Sequence, residues 1–137
     1  MSAKTVAACI LLAAQTHDVP PALLIGIYRA EGGEAGLEVA NTNGSHDLGL
    51  MQINTLWIPG LAEKWKVSEE KAHEMVRDDV CINVDVAASI LRQHLSETRD
   101  LARALEYYHS RTPELRKKYK DRVLDIMRRY GLLKTKR

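Results

Sequence analysis

Apolar residues along this chain recur mostly at intervals of three and four, the spacing that keeps side chains on one face of a helix. Thr5 to about Thr16 reads as a short helix whose stripe is Ala8, Leu11, Leu12 and Gln15. A second helix follows a cap at Asp18, with Pro20-Pro21 near its first turn and Leu24, Ile27, Tyr28 and Glu31 on one face. Residues 32–48 are rich in Gly, Asn, Ser and Asp and lack any apolar period, so they read as a loop of functional length. Gly49 to Asn54 reads as a helical turn or the start of a short helix, followed by Trp57-Ile58-Pro59 and a short helix near Leu61–Trp65. Ser68 is placed as the N-cap of a helix over 69–77. Asn83 to His94 continues with Val84, Val86, Ala87, Ile90, Leu91 and His94 making an apolar side. Leu101–His109 and Pro113–Tyr130 supply two more helices, the last ended by Gly131. No alternating strand pattern of useful length occurs, and the predicted class is all-α.

At 137 residues, with no linker-like tract and no internal repeat, the chain is expected to form a single domain over 1–137 with a real core. Its 45% hydrophobic and 28% charged content argues against disorder and against a transmembrane segment. The net charge of +2 hides an asymmetry. Residues 111–137 hold eleven Lys or Arg against Glu114, Asp121 and Asp125, a balance of +8, and the first 110 residues are net −6. A basic C-terminal helix at about 113–130 can contact an anionic envelope polymer, a lipid surface or an acidic partner. Nucleic acid is conceivable on electrostatics alone but is not assigned, because a charge run specifies no ligand and is commonly a solvated helix face.

Val6-Ala7-Ala8-Cys9 looks like a lipoprotein cleavage box, but only eight residues precede Cys9 and no apolar core of a signal fits among them. No secretory leader is visible, so export implies that the native leader has been replaced by Met1. Cys9 and Cys81 are too few for a disulfide scaffold or a Cys-based metal site. Either they pair, closing a loop of roughly 70 residues worth about 4 kcal/mol in the chain-entropy account, or they are two buried thiols.

Glu31 carries the candidate chemistry. It takes the place of a Leu on an apolar helix face, 18 residues ahead of Gly49-Leu50-Met51-Gln52-Ile53-Asn54. A carboxylate partly withdrawn from water is costly to ionise, so its pKa is expected to rise toward the range of a proton donor. Such an acid opposite a glycine-opened segment bearing an amide suits acid catalysis on a sugar polymer. A helix-terminal Glu that only solvates its helix end is the plainer alternative. Glu34 would share the stripe if the helix continued, although Gly32-Gly33 should end it, so periodicity leaves two carboxylates in play. Asn41, Asn43, Ser45 and Asp47 alternate as in a calcium loop, but His46 replaces the required Gly and Gln52 the closing Glu. His17, His46, His73, His94 and His109 show no metal-ligand spacing, so no metal and no cofactor are expected.

Cys9 through Val19-Pro20 and Leu23-Leu24, then Arg29-Ala30-Glu31-Gly32-Gly33, then Asn41-Thr42-Asn43-Gly44-Ser45-His46-Asp47-Leu48-Gly49-Leu50-Met51-Gln52-Ile53-Asn54, resemble the lysozyme-like lytic transglycosylases. The likeness covers roughly residues 6–110 and is closest to the small single-domain group that accompanies secretion, conjugation and pilus machines. It implies a lysozyme-like helical domain with a glycan-binding groove, peptidoglycan glycan strands as substrate, a monomer, and a periplasmic location. It places the catalytic acid at Glu31 rather than Glu34. It also assigns Ser45, Gly49, Leu50, Met51, Gln52, Asn54 and Tyr108 to the substrate groove, with Tyr108 facing the glutamate. Asn83, Ala87-Ala88 and Leu91 resemble the family's later helix motif, and Cys9 and Cys81 fall where this group carries a cysteine pair, which implies a disulfide and an oxidising compartment. Two positions depart from the pattern: Gly32 stands where most members have Ser, and His109 where an Asn usually follows the tyrosine.

The resemblance implies that Glu31 protonates the glycosidic oxygen of a MurNAc-GlcNAc bond and then, as a base, accepts the proton of the sugar's own 6-hydroxyl, leaving a 1,6-anhydro ring. A hydrolytic muramidase is the nearest alternative and would need Glu34, Glu38 or Asp47 as a second carboxylate. A peptidoglycan-binding assembly protein with a decayed site is the alternative outside enzymology.

Overall fold

The computed structural model describes residues 3–100, 102–104, 108 and 113–131, and the side chains of all of these except 3 and 113–119. Helix α1 spans Ala3–His17 and α2 spans Pro21–Glu31. Three short strands follow, β1 (Glu38–Ala40), β2 (His46–Leu48) and β3 (Ile53–Asn54). After a 3-10 turn at Thr55–Trp57 come α3 (Ile58–Trp65), α4 (Glu69–Asp78), α5 (Val80–Thr98) and α6 (Pro113–Arg129). The architecture is mainly helical, as expected. Of the helix predicted over 101–109, residues 102–104 and 108 are described and helical, and the remainder lies outside the described residues.

The first helix buries a different face from the predicted one. Val6, Cys9, Ile10, Ala13 and Ala14 enter the core, whereas Leu11 and Leu12 are 60% and 63% exposed. The segment is apolar nearly all round, so a period of 3.6 has no unique phase there. Packing of α1 on α5 and the Cys9–Cys81 disulfide, with its Cα atoms 4.9 Å apart, select the face.

Asp18 does not cap α2. Its backbone is left-handed, its carbonyl accepts from Arg92 Nη1 at 2.8 Å, and the capping position falls to Pro20, which offers no side-chain bond. At the other end Gly32 (φ +62°) closes the helix, its N–H donating to Tyr28 O. The strong caps are legible elsewhere. Ser68 Oγ accepts from Lys71 N, and Asp79 Oδ1 accepts from Ile82 N, at 3.0 Å each.

Residues 32–48 are not all loop, and Gly49–Asn54 is not helical. Strand β2 pairs antiparallel with β1 (Val39 opposite Asp47) and with β3 (Leu48 opposite Ile53). The Asn-rich tract is the hairpin turn between β1 and β2, where Asn41 N donates to Ser45 O and Ser45 N donates to Asn43 Oδ1. The core lies between α1, α2 and α5, with Leu24, Ile27, Met51, Val84 and Leu91 fully buried. Helix α6 covers the outer side of α2 so closely that a Cβ at Gly26 would sit 2.7 Å from Met127 Cγ.

Candidate active site

Glu31 is the last residue of α2 and is partly buried. Because Gly32 ends the helix in the left-handed region, Glu34 leaves the stripe and is exposed. Beyond it the chain doubles back so tightly that a Cβ on Gly33 would collide with the carbonyl oxygens of Gly49 and Leu50. Bare backbone on both sides therefore brings the glutamate's helix end against the segment 49–54.

That segment is held from beneath by Asn83, which is 1% exposed. Its Oδ1 accepts from Met51 N at 2.7 Å, and its Nδ2 donates to Leu48 O at 2.9 Å and to Val76 O at 2.8 Å. Gly49 has φ +70°, and a Cβ there would lie 2.5 Å from Asn83 Nδ2, so only glycine fits. Gln52 is also left-handed at φ +54°, and its Nε2 donates to Gly49 O at 2.9 Å. A non-glycine residue in this region costs on the order of 1–3 kcal/mol, and such strain concentrates at functional sites.

Above this floor Glu31, Asp47, Gln52, Asn54, Trp57 and Tyr108 line one narrow crevice of about 20 Å3, backed by Ile53 and Ile90. Tyr108 donates its hydroxyl to Met51 O at 3.1 Å. Burial pushes its phenol well above the ordinary value of 10, and the nearby Glu31 and Asp47 carboxylates push it further, so it is a neutral donor throughout the physiological range. Trp57 packs edge-on against His94, centroids 6.1 Å apart.

The other sequence-derived site residues divide by what their side chains do. Leu50 and Met51 are buried at 4% and 0% exposure, and neither they nor Gly49 and Ser45 are among the residues lining the crevice. Ser45 donates to Asn43 Oδ1 at 2.6 Å and accepts from Asn54 Nδ2 at 3.0 Å. Asn54 Nδ2 also reaches Asp47 Oδ1 at 3.0 Å, while its Oδ1 accepts from Leu56 N. These bonds brace the β2–β3 corner and aim Asp47.

Of the candidate second carboxylates, only Asp47 lines the crevice with Glu31 among the described residues. Glu38 instead clamps the hairpin to α4, meeting His46 Nδ1 at 2.6 Å, His73 Nε2 at 2.8 Å and Arg77 Nη1 at 3.4 Å. The His73 hydrogen bond, joined by His46 and Arg77, outweighs partial burial and holds the Glu38 carboxyl below its ordinary value. Among the described residues no group of three or more His, Cys, Asp or Glu is placed to hold a metal ion. Ile53, Trp57 and Ile90 line the crevice but were not among the expected site residues. Trp57 lies three residues past the end of the recognisable motif, and its aromatic type is the one signal that could have found it.

Residues 8–123 match the transglycosylase SLT domain family. The chain belongs to that family. It is similar to Protein IpgF of Shigella sonnei, 31% identical over 120 residues covering 86% of this chain and 76% of the relative. It is equally similar to Invasion protein IagB of Salmonella typhimurium and of Salmonella typhi, 31% identical over 126 residues covering 88% of this chain and 76% of each relative. SLT domains are lytic transglycosylases, which makes this chain a lytic transglycosylase-type protein with peptidoglycan as the consistent substrate. Among the described residues no helix is long and apolar enough to cross a membrane.

Proposed function

We propose that the protein is a peptidoglycan lytic transglycosylase that cleaves the MurNAc-GlcNAc β-1,4 bond without water. The observation carrying this reading is the placement of Glu31 at a crevice shared with Tyr108, beside a segment fixed by Gly33, Gly49 and Asn83. Glu31 donates its proton to the glycosidic oxygen as the C1–O bond breaks, and positive charge develops on the MurNAc ring. The resulting carboxylate takes the proton of the same sugar's 6-hydroxyl, whose oxygen closes on C1. Atoms balance with no added water, and Glu31 ends protonated for the next cycle. Gln52, which lines the crevice, holds the sugar, and neutral Tyr108 supplies no competing negative charge.

Glu31→Gln, nearly isosteric but unable to donate, is expected to retain the fold and to lower turnover of isolated sacculi by about 100- to 10,000-fold, the usual contribution of a general acid. Retained turnover would refute the assignment.

Hydrolysis is the second reading, and the position of Asp47 favours it. Mass analysis of the released muropeptides decides, because the anhydro product is one water lighter. Asp47→Asn separates the two as well: it stops a hydrolase, whereas the intramolecular route tolerates it.

Local wall opening during assembly of an envelope-spanning machine, in the periplasm, is the role we assign. The resemblance to the group serving secretion, conjugation and pilus systems supports it, as does the name invasion protein carried by the Salmonella relatives.

A further inference from the structure

Beside the catalytic helix end lies a second and larger cavity of about 420 Å3, walled by Tyr28, Arg29, Gly32 and Gly33 on one side and by Arg129 and Tyr130 on the other. Its first wall runs into Glu31 through the chain. Its second wall, the end of α6, lies beyond residue 123, where the family match stops. The cavity is thus built partly from sequence outside the matched family segment.

Its chemistry is that of an anion site. Among the described residues no acidic side chain lines it. Arg29 is stacked over the Tyr130 ring, 4.2 Å from guanidinium carbon to centroid, and makes no ion pair among the described residues. Stacking uses the face of the guanidinium and leaves the N–H edge available, the edge that grips a carboxylate with two parallel hydrogen bonds. Arg129 adds a second cation, held by Asp125 at 2.8 Å. The space at Gly32 is open, since a Cβ there would meet nothing within 4 Å.

We propose that this cavity binds a free carboxylate of the peptide stem carried by the MurNAc residue being cleaved, with Arg29 as the specificity-determining group. The inference rests on the proposed peptidoglycan reaction. The stem starts on the ring whose C1 reacts, so its first carboxylates lie within a few residues of Glu31, each residue spanning at most about 3.5 Å. A glycan whose lactyl carboxyl is tied up as an amide offers Arg29 nothing to pair with, whereas the stem beyond it is acidic.

The test is calorimetric binding to the full chain of two probes: GlcNAc-MurNAc carrying its tetrapeptide, and the same disaccharide with the lactyl carboxyl capped as its methylamide, which carries no carboxylate. The wild type should bind the peptide-bearing probe about tenfold or more tighter, since a charge-assisted hydrogen bond contributes at least that ratio. Arg29→Gln should bring the two affinities to within about threefold, and added salt should erode the wild-type preference. Arg29→Lys, which keeps charge but loses the fork, should fall between. Equal affinities in the wild type, no binding of the peptide-bearing probe, or a preference that survives Arg29→Gln would each overturn the proposal. Thermal melts check that the exposed Arg29 variants are folded. Turnover of sacculi is read separately, so an inactive protein that still prefers the stem sinks the proposed reaction and not this site.

Discussion

One buried carboxamide, that of Asn83, satisfies a backbone donor and two backbone acceptors from separate segments. Asn83→Leu has nearly the same volume and none of these bonds, so Met51 N–H, Leu48 O and Val76 O lose their partner together. The expected loss is roughly 3 kcal/mol or more by urea denaturation, and a loss below about 1 kcal/mol would mean that the segment is anchored otherwise. Gly32→Ser has room for its side chain but must hold a left-handed backbone. It should cost on the order of 1 kcal/mol without disturbing α2. At this scale the sequence was informative where the chemistry is local. The apolar stripe ending at Glu31, with Gly32-Gly33 behind it, exposes the glutamate as unusual, and resemblance chooses it over Glu34. Polar residues were harder to sort, because Ser45, Asn54 and Asn83 have the same letters whether they meet a sugar or a backbone amide. Only the fold shows which hydrogen bonds are already taken.

Helices with distinct polar faces and true caps were legible, as at α4 and α5, where Ser68 and the Val84–Leu91 stripe fall as expected. The phase of α1 was not, since alanine and leucine surround it and the partner helix decides which face is buried. Strands of two or three residues, one of them wholly exposed, cannot produce a period-two signal. The disulfide between α1 and α5 closes a separation of 72 residues, so its reduction should lower stability by about 4 kcal/mol. A melting curve unchanged by reductant, with two titratable thiols before reduction, would remove that link. The Glu38 clamp on the hairpin is expected to be pH-dependent. Its folded carboxyl sits below the ordinary 4.5, so its contribution is full above that pH and is lost as pH falls through the folded value. Glu38→Gln should flatten the acid limb of stability against pH and cost at most about 1 kcal/mol at neutrality, because the group is partly solvated.

For the molecule as a whole, acid sensitivity begins earlier than Glu38 would predict. His94 lies behind Trp57, and its burial, only partly offset by Glu97, holds its folded value below the ordinary 6.5. The folded state then binds fewer protons than the unfolded one, so stability falls as pH drops from about 6.5 through that lower value. Comparing urea midpoints at about pH 8 and about pH 5 for wild type and His94→Gln should show a smaller acid loss in the variant. An equal loss in both would assign the limb to other groups.

The contact of Gly33 with Gly49 and Leu50 has a consequence for divergence among such proteins. The spacing between the acid-bearing helix and the opposite wall is set by peptide planes touching one another, not by side chains. Residues around the rim can therefore change sugar or peptide preference while the gauge of the jaw stays constant, whereas one methyl group at position 33 would reset it.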